Sequence, residues 1–92
     1  MPASLDATVR VPDSTVFHEI DGETVLLQLE AGMYYGLDAV GTRLWQLMVQ
    51  HASLRTVFET ALAEFDVSPE QLERDLLDLV EQLEARGLLA LD

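Results

Sequence analysis

MYYGLDAVGTRLWQLM, residues 33–48, changes periodicity partway along its length. MYYGL (33–37) carries two tyrosines and reads with a period of two, as a short strand does. After Asp38 the apolar residues Val40, Leu44, Leu47 and Met48 recur at helical spacing, and Asp38 is a suitable cap for the free amides of a first turn. The stretch is therefore a strand that runs straight into a helix. Strands precede this junction and helices follow it, which is the order of an α+β domain.

Toward the N-terminus, TVFHEI (15–20) and ETVLLQL (23–29) are β-rich runs separated by Asp21-Gly22, a strong two-residue hairpin signal. With a second turn at EAG (30–32), they predict a meander of three short strands ending at residue 37. TVRV (8–11) reads as one more short strand stopped by Pro12, and residues 1–7 read as a flexible end. Toward the C-terminus, Ser53 caps a second helix bearing Leu54, Val57, Phe58, Ala61, Leu62 and Phe65. Ser68-Pro69 opens a third helix. That helix runs to about Arg86, where Gly87 supplies a left-handed stop, and LLAL (88–91) is expected to fold back on the core. The 92 residues make one domain with a single small core.

At 100° per residue, Leu72, Leu76, Leu79 and Leu83 form the core stripe of the third helix, with Val80 at its margin. Glu70, Glu73, Glu81 and Glu84 lie opposite, and Leu77 falls among them. Leu77 is either an ordinary exposed leucine or an apolar patch ringed by carboxylates.

Charge narrows the function. Seventeen acidic residues face five arginines and no lysine, a formal net charge of −12. Such a surface repels phosphate backbones and anionic membranes, and attracts a basic or mixed-charge partner, although charge alone also keeps a small domain soluble. The absence of cysteine removes disulfides, thiolate nucleophiles and cysteine zinc sites. His18 and His51 have no neighbouring donors in sequence, so no metal or other cofactor is expected. Carboxylate pairs such as Asp75 and Asp78 are what a solvated acidic helix face carries. Nothing points to catalysis. MPASLDATVR lacks the layout of a signal peptide, no apolar run approaches the roughly 20 residues of a membrane span, and a cytoplasmic protein is the simplest expectation.

The run YYGLDAVGTRLWQLM, the helix ending LAEFDV and the pattern ERDLLDLVEQLEARGLL together resemble the PqqD-like family, domains that recognise ribosomally made, modified peptides. The resemblance spans roughly residues 8–91. It rests most on Tyr35, Leu37, Gly41 and Trp45, and on Asp75, Leu76, Leu79, Leu83 and Gly87-Leu88. It implies a winged helix-turn-helix-like fold, a three-stranded antiparallel sheet packed on three helices. It also implies that the leader of a precursor peptide adds as a strand beside the third strand, with its side chains in a groove against the third helix. The residues so implicated are Met33, Tyr34, Tyr35 and Gly36 on the strand, and Leu72, Asp75, Leu76, Leu77, Leu79 and Val80 on the helix.

An uncovered edge strand offers unpaired N–H and C=O groups to such a peptide. Period two puts Met33, Tyr35 and Leu37 on one face and Tyr34 and Gly36 on the other, so Tyr35 and Leu37 are expected to anchor the sheet and Tyr34 to be exposed. Two flanks of the helix are open to the role: one bears Asp75 beside Leu72 and Leu79, the other Val80 and Leu77. Family members serving pyrroloquinoline quinone assembly, as chaperones for a radical SAM enzyme, tend to carry a proline-containing segment before the third strand, and LQLEAGMYYGL has none. The acidic chain looks more like the standalone partner of lasso-peptide pathways, which hands the leader to a separate cysteine protease. A winged-helix DNA-binding protein and an acidic assembly subunit of an enzyme are the alternatives from other classes.

Overall fold

The computed structural model describes residues 3–92. In chain order the elements are β1 (Val9–Arg10), β2 (Thr15–Ile20), β3 (Glu23–Gln28), β4 (Met33–Leu37), α1 (Ala39–Gln50), α2 (Leu54–Glu64), α3 (Pro69–Ala85) and β5 (Ala90–Leu91). The domain is α+β. A three-stranded antiparallel sheet, in the order β2-β3-β4, is followed by three helices, as the sequence predicts.

Local chemistry explains each boundary. Asp21 (φ 53°) and Gly22 (φ 81°) both adopt left-handed backbone, the requirement of the tight turn that pairs Ile20 with Glu23. At the next turn Gln28 lies on the buried side of β3, and its Oε1 accepts from the Ala31 N–H at 2.6 Å. Asp38, Ser53 and Ser68 cap the three helices, their side-chain oxygens accepting from the N–H groups of Gly41, Thr56 and Gln71. At the end of α3, Leu88 N–H reaches Leu83 O (2.9 Å) and Gly87 N–H reaches Glu84 O (3.0 Å). This double closure needs the left-handed Gly87 (φ 73°) between them.

The core lies between the inner face of the sheet and the helices. It joins Leu26 and Leu37 to Leu44, Trp45, Leu47 and Met48 of α1, Leu54, Val57 and Ala61 of α2, Leu72, Leu76, Val80 and Leu83 of α3, and Leu88 and Leu89. Arg43 on α1 clamps Glu64 on α2 through two hydrogen bonds of 2.8 Å. These bonds hold the Glu64 carboxyl below the usual carboxylate range.

Three expectations need correction. In the core stripe of α3, Val80 is fully buried, whereas Leu79 is only half-buried. Val80 lies within the core cluster shared by the sheet and the helices, while Leu79 lines an open groove. Leu77 is not isolated on an acidic face; it is half-buried and packed against the core. Residues 3–7, read as a loose end, are tied to the domain. Leu5 joins the core, and the Ala3 N–H donates to the Glu81 carboxylate at 3.1 Å, one turn beyond Leu77. Asp6 pairs with Arg55. Met1 and Pro2 lie outside the described residues.

One pairing was not foreseen. The chain end folds back on the core as expected, but it does so as β5, antiparallel to β1, with Val9 opposite Leu91 and Arg10 opposite Ala90.

Candidate functional site

β4 pairs with β3 on one side, from Thr24↔Leu37 to Gln28↔Met33, and is an edge of the sheet on the other. Its unpaired backbone groups along that side form a template for another strand. The side chains alternate as period two requires. Leu37 is buried and Tyr35 half-buried toward the helices, whereas Tyr34 projects from the outer face, 73 % exposed. Met33, at the start of the strand, is 64 % exposed.

The flank of α3 that faces this edge is fixed by contacts at three heights. Near the middle, the Tyr35 hydroxyl donates to Gln82 Oε1 at 2.6 Å. At one end the Arg86 guanidinium lies over the Tyr35 ring, 4.9 Å from its centroid, and its Nη1 donates to Gln82 O. A hollow of about 260 Å³ opens there, lined by Gln28, Ala31, Met33, Tyr34, Arg86 and Leu88. At the other end a hollow of about 370 Å³ is lined by Asp38, Val40, Gly41 and Leu44 with Asp75 and Leu79 of α3. Asp75, Leu79, Gln82 and Arg86 follow the spacing i, i+4, i+7, i+11, a single stripe along a helix.

This settles where the sequence-predicted residues sit. Met33, Tyr34, Tyr35, Asp75 and Leu79 come together around the edge and the groove. Gly36 is on the strand but toward the outer face, paired with Val25. Leu72, Leu76 and Val80, at 2 %, 0 % and 0 % exposure, belong to the interior and offer no surface to the groove. Leu77 lies about 160° around the helix from Asp75, on the flank that the N-terminal segment approaches.

Gln82, Arg86, Gln28 and Ala31 were not singled out from sequence, and Asp38, Val40, Gly41, Leu44 and Leu88 were read there for capping, helical spacing or the family resemblance rather than as site residues. The helical stripe was present as a signal for Gln82 and Arg86, once Asp75 and Leu79 are taken as its start. The hollow around Gln28 had no sequence signal.

The arrangement suits recognition. Among the described residues, the only recorded partner of the Asp75 carboxylate is Gln71, whose Nε2 donates to Oδ1 at 2.8 Å. No group of three or more His, Cys, Asp or Glu there is placed to hold a metal ion. Among the described residues, no helix is long and apolar enough to cross a membrane.

The family model described as coenzyme PQQ synthesis protein D (PqqD) matches residues 23–89. The fold is similar to that of TbiB1, solved in complex with the TbiA(beta) leader peptide. The two share 39% sequence identity over 87% of this chain and 93% of that one, with a TM-score of 0.82. It is also similar to a lasso peptide synthetase B1 complexed with the leader peptide. Identity there is 25%, over 91% of this chain and 99% of that one, with a TM-score of 0.81. No curated protein sequence matches the chain.

Proposed function

The chain belongs to the PqqD family, and from that premise we propose that it binds the leader segment of a ribosomally synthesised precursor peptide and presents it to a separate modifying enzyme. A leader protease of a lasso-peptide pathway is the favoured enzyme. The role is binding without catalysis. The leader adds as a strand to the free edge of β4, and its inward side chains enter the groove against the Asp75–Arg86 stripe of α3. The observation that carries this reading is that open edge, bordered at both ends by a hollow between strand and helix. Two solved structures of the same fold, each holding a leader peptide, support it.

The physics is that of strand addition. Backbone pairing supplies affinity without regard to sequence, and hollows that accept alternate side chains supply selectivity. Of the site residues predicted from sequence, Met33, Tyr34, Tyr35, Gly36, Asp75 and Leu79 remain in the proposed contact set. Gln82 and Arg86 join them.

The test is a titration of the protein with the leader segment of a candidate lasso-peptide precursor. Saturable binding is expected, together with roughly fivefold weaker binding when Leu79 is truncated to alanine. A well-folded protein that binds no leader, yet co-purifies at fixed stoichiometry with an enzyme, would favour the assembly-subunit alternative.

A DNA-binding role is opposed by the surface of α3. Between Glu70 and Glu84 it carries six acidic residues, against Arg74 and, just past the helix end, Arg86. A helix that reads DNA needs the opposite balance.

A further inference from the structure

The five arginines are not equivalent. Arg10, Arg43 and Arg55 are ion-paired with Asp92, Glu64 and Asp6. Arg74 and Arg86 form no such pair among the described residues, and of these two it is Arg86 that lines the hollow at the strand edge. Its guanidinium is steadied against the Tyr35 ring and one donor is engaged by Gln82 O; its other N–H donors have no recorded protein partner among the described residues, and the side chain lines the hollow beside Met33. At the far end of the groove stands Asp75, with the capping carboxylate of Asp38 bordering the same hollow. The groove thus carries a cation at one end and carboxylates at the other, on a protein whose remaining surface is strongly acidic.

We propose that this polarity reads the order of charges along the bound peptide. A basic side chain sits against Asp75, and an acidic side chain four residues later sits against Arg86. The proposal rests on the strand-addition reading above.

The spacing follows from geometry. Asp75 and Arg86 are separated by about 16 Å along α3 at 1.5 Å per residue, which is about five residues of a strand. Both side chains must point into the groove, so their separation must be even. A helix inclined to the strand shortens the projected distance, and four is the fit.

The order follows from direction. Both pairings within the sheet are antiparallel, and antiparallel ladders are slightly the more stable per residue. β4 runs from the Arg86 end to the Asp75 end, so an antiparallel peptide enters at Asp75 and leaves at Arg86. Its basic residue therefore precedes its acidic one. An acidic side chain anywhere else along the groove meets the net negative surface unscreened by a cation.

The test needs no knowledge of the natural leader. A randomised 12-residue peptide display library is selected on the parent protein, on a charge-reversed variant (Asp75→Arg with Arg86→Glu) and on a neutral variant (Asp75→Asn with Arg86→Gln). Circular dichroism melts of all three check the fold. The neutral variant changes side-chain shape least and covers the case in which reversal disturbs the end of α3. The parent is expected to enrich peptides with Lys or Arg four residues ahead of Asp or Glu. Exchanging the two charges in an enriched peptide should weaken it about tenfold, with each exposed ion pair contributing on the order of threefold.

The reversed variant should enrich the opposite order, and the neutral variant should bind without charge preference. No preference on the parent, the opposite order on the parent, or an unchanged preference on the neutral variant overturns the proposal. Failure to enrich any peptide that slows amide exchange in β4 counts instead against strand addition, and the charge reading falls with it.

Discussion

Leu77 shows what a single residue can conceal. A helical wheel places it among carboxylates, because the wheel knows only its own helix. Leu77 is half-buried against the core, and the Ala3 N–H reaches Glu81, 78 positions away in sequence and one turn beyond Leu77. A Leu77→Ala variant should therefore lose about 1–2 kcal/mol of stability, part of the roughly 2–5 kcal/mol typical of a fully buried leucine. Its leader affinity should stay within about twofold of the parent. Urea melts and a titration on the same sample check both. Leu79→Ala should show the opposite pattern, a smaller loss of stability and leader binding weaker by about 1 kcal/mol, roughly fivefold in Kd. Tyr35 was easier to read, since alternation alone sends it inward and Tyr34 outward. Its hydrogen bond to Gln82 was not legible, because that contact depends on which flank of α3 meets the strand. Tyr35→Phe should cost about 0.5–1 kcal/mol, the net value of one partly exposed hydrogen bond, measured by thermal melting.

The elements themselves were legible almost to the residue. Asp21-Gly22, the capping Asp38, Ser53 and Ser68, and the terminal Gly87 each satisfy a backbone requirement within a few residues of themselves, so the chain announces them locally. What sequence left open was the handedness of packing, which decides between the Asp75 flank and the Leu77 flank. The β1–β5 ribbon was hidden for a similar reason: two-residue strands carry too little pattern to name a partner. On β4, Gly36 has no positive φ and an added Cβ would meet nothing within 4 Å. Gly36→Ala should leave stability unchanged or raise it by up to about 1 kcal/mol, since alanine restricts the unfolded chain. Leader affinity should persist, because the added methyl points to the outer face of the sheet rather than into the groove. Loss of binding in a stable Gly36→Ala protein would move the peptide from the groove to that outer face.

At the scale of the whole molecule, the net charge of −12 argues against the DNA-binding alternative. The free protein should leave duplex DNA unshifted in a gel even at low salt, where phosphate contacts are strongest. The sheet has two edges, β2 and β4, and the central claim is that the peptide chooses β4. Only β4 borders the Asp75–Arg86 stripe. Amide hydrogen exchange separates the two edges in one experiment. With leader peptide at saturation, amides within residues 33–37 should exchange more slowly, as their free N–H groups gain partners, while residues 15–20 exchange as before. Protection confined to β2, or unchanged exchange across residues 33–37 in a peptide-saturated protein, would contradict the account.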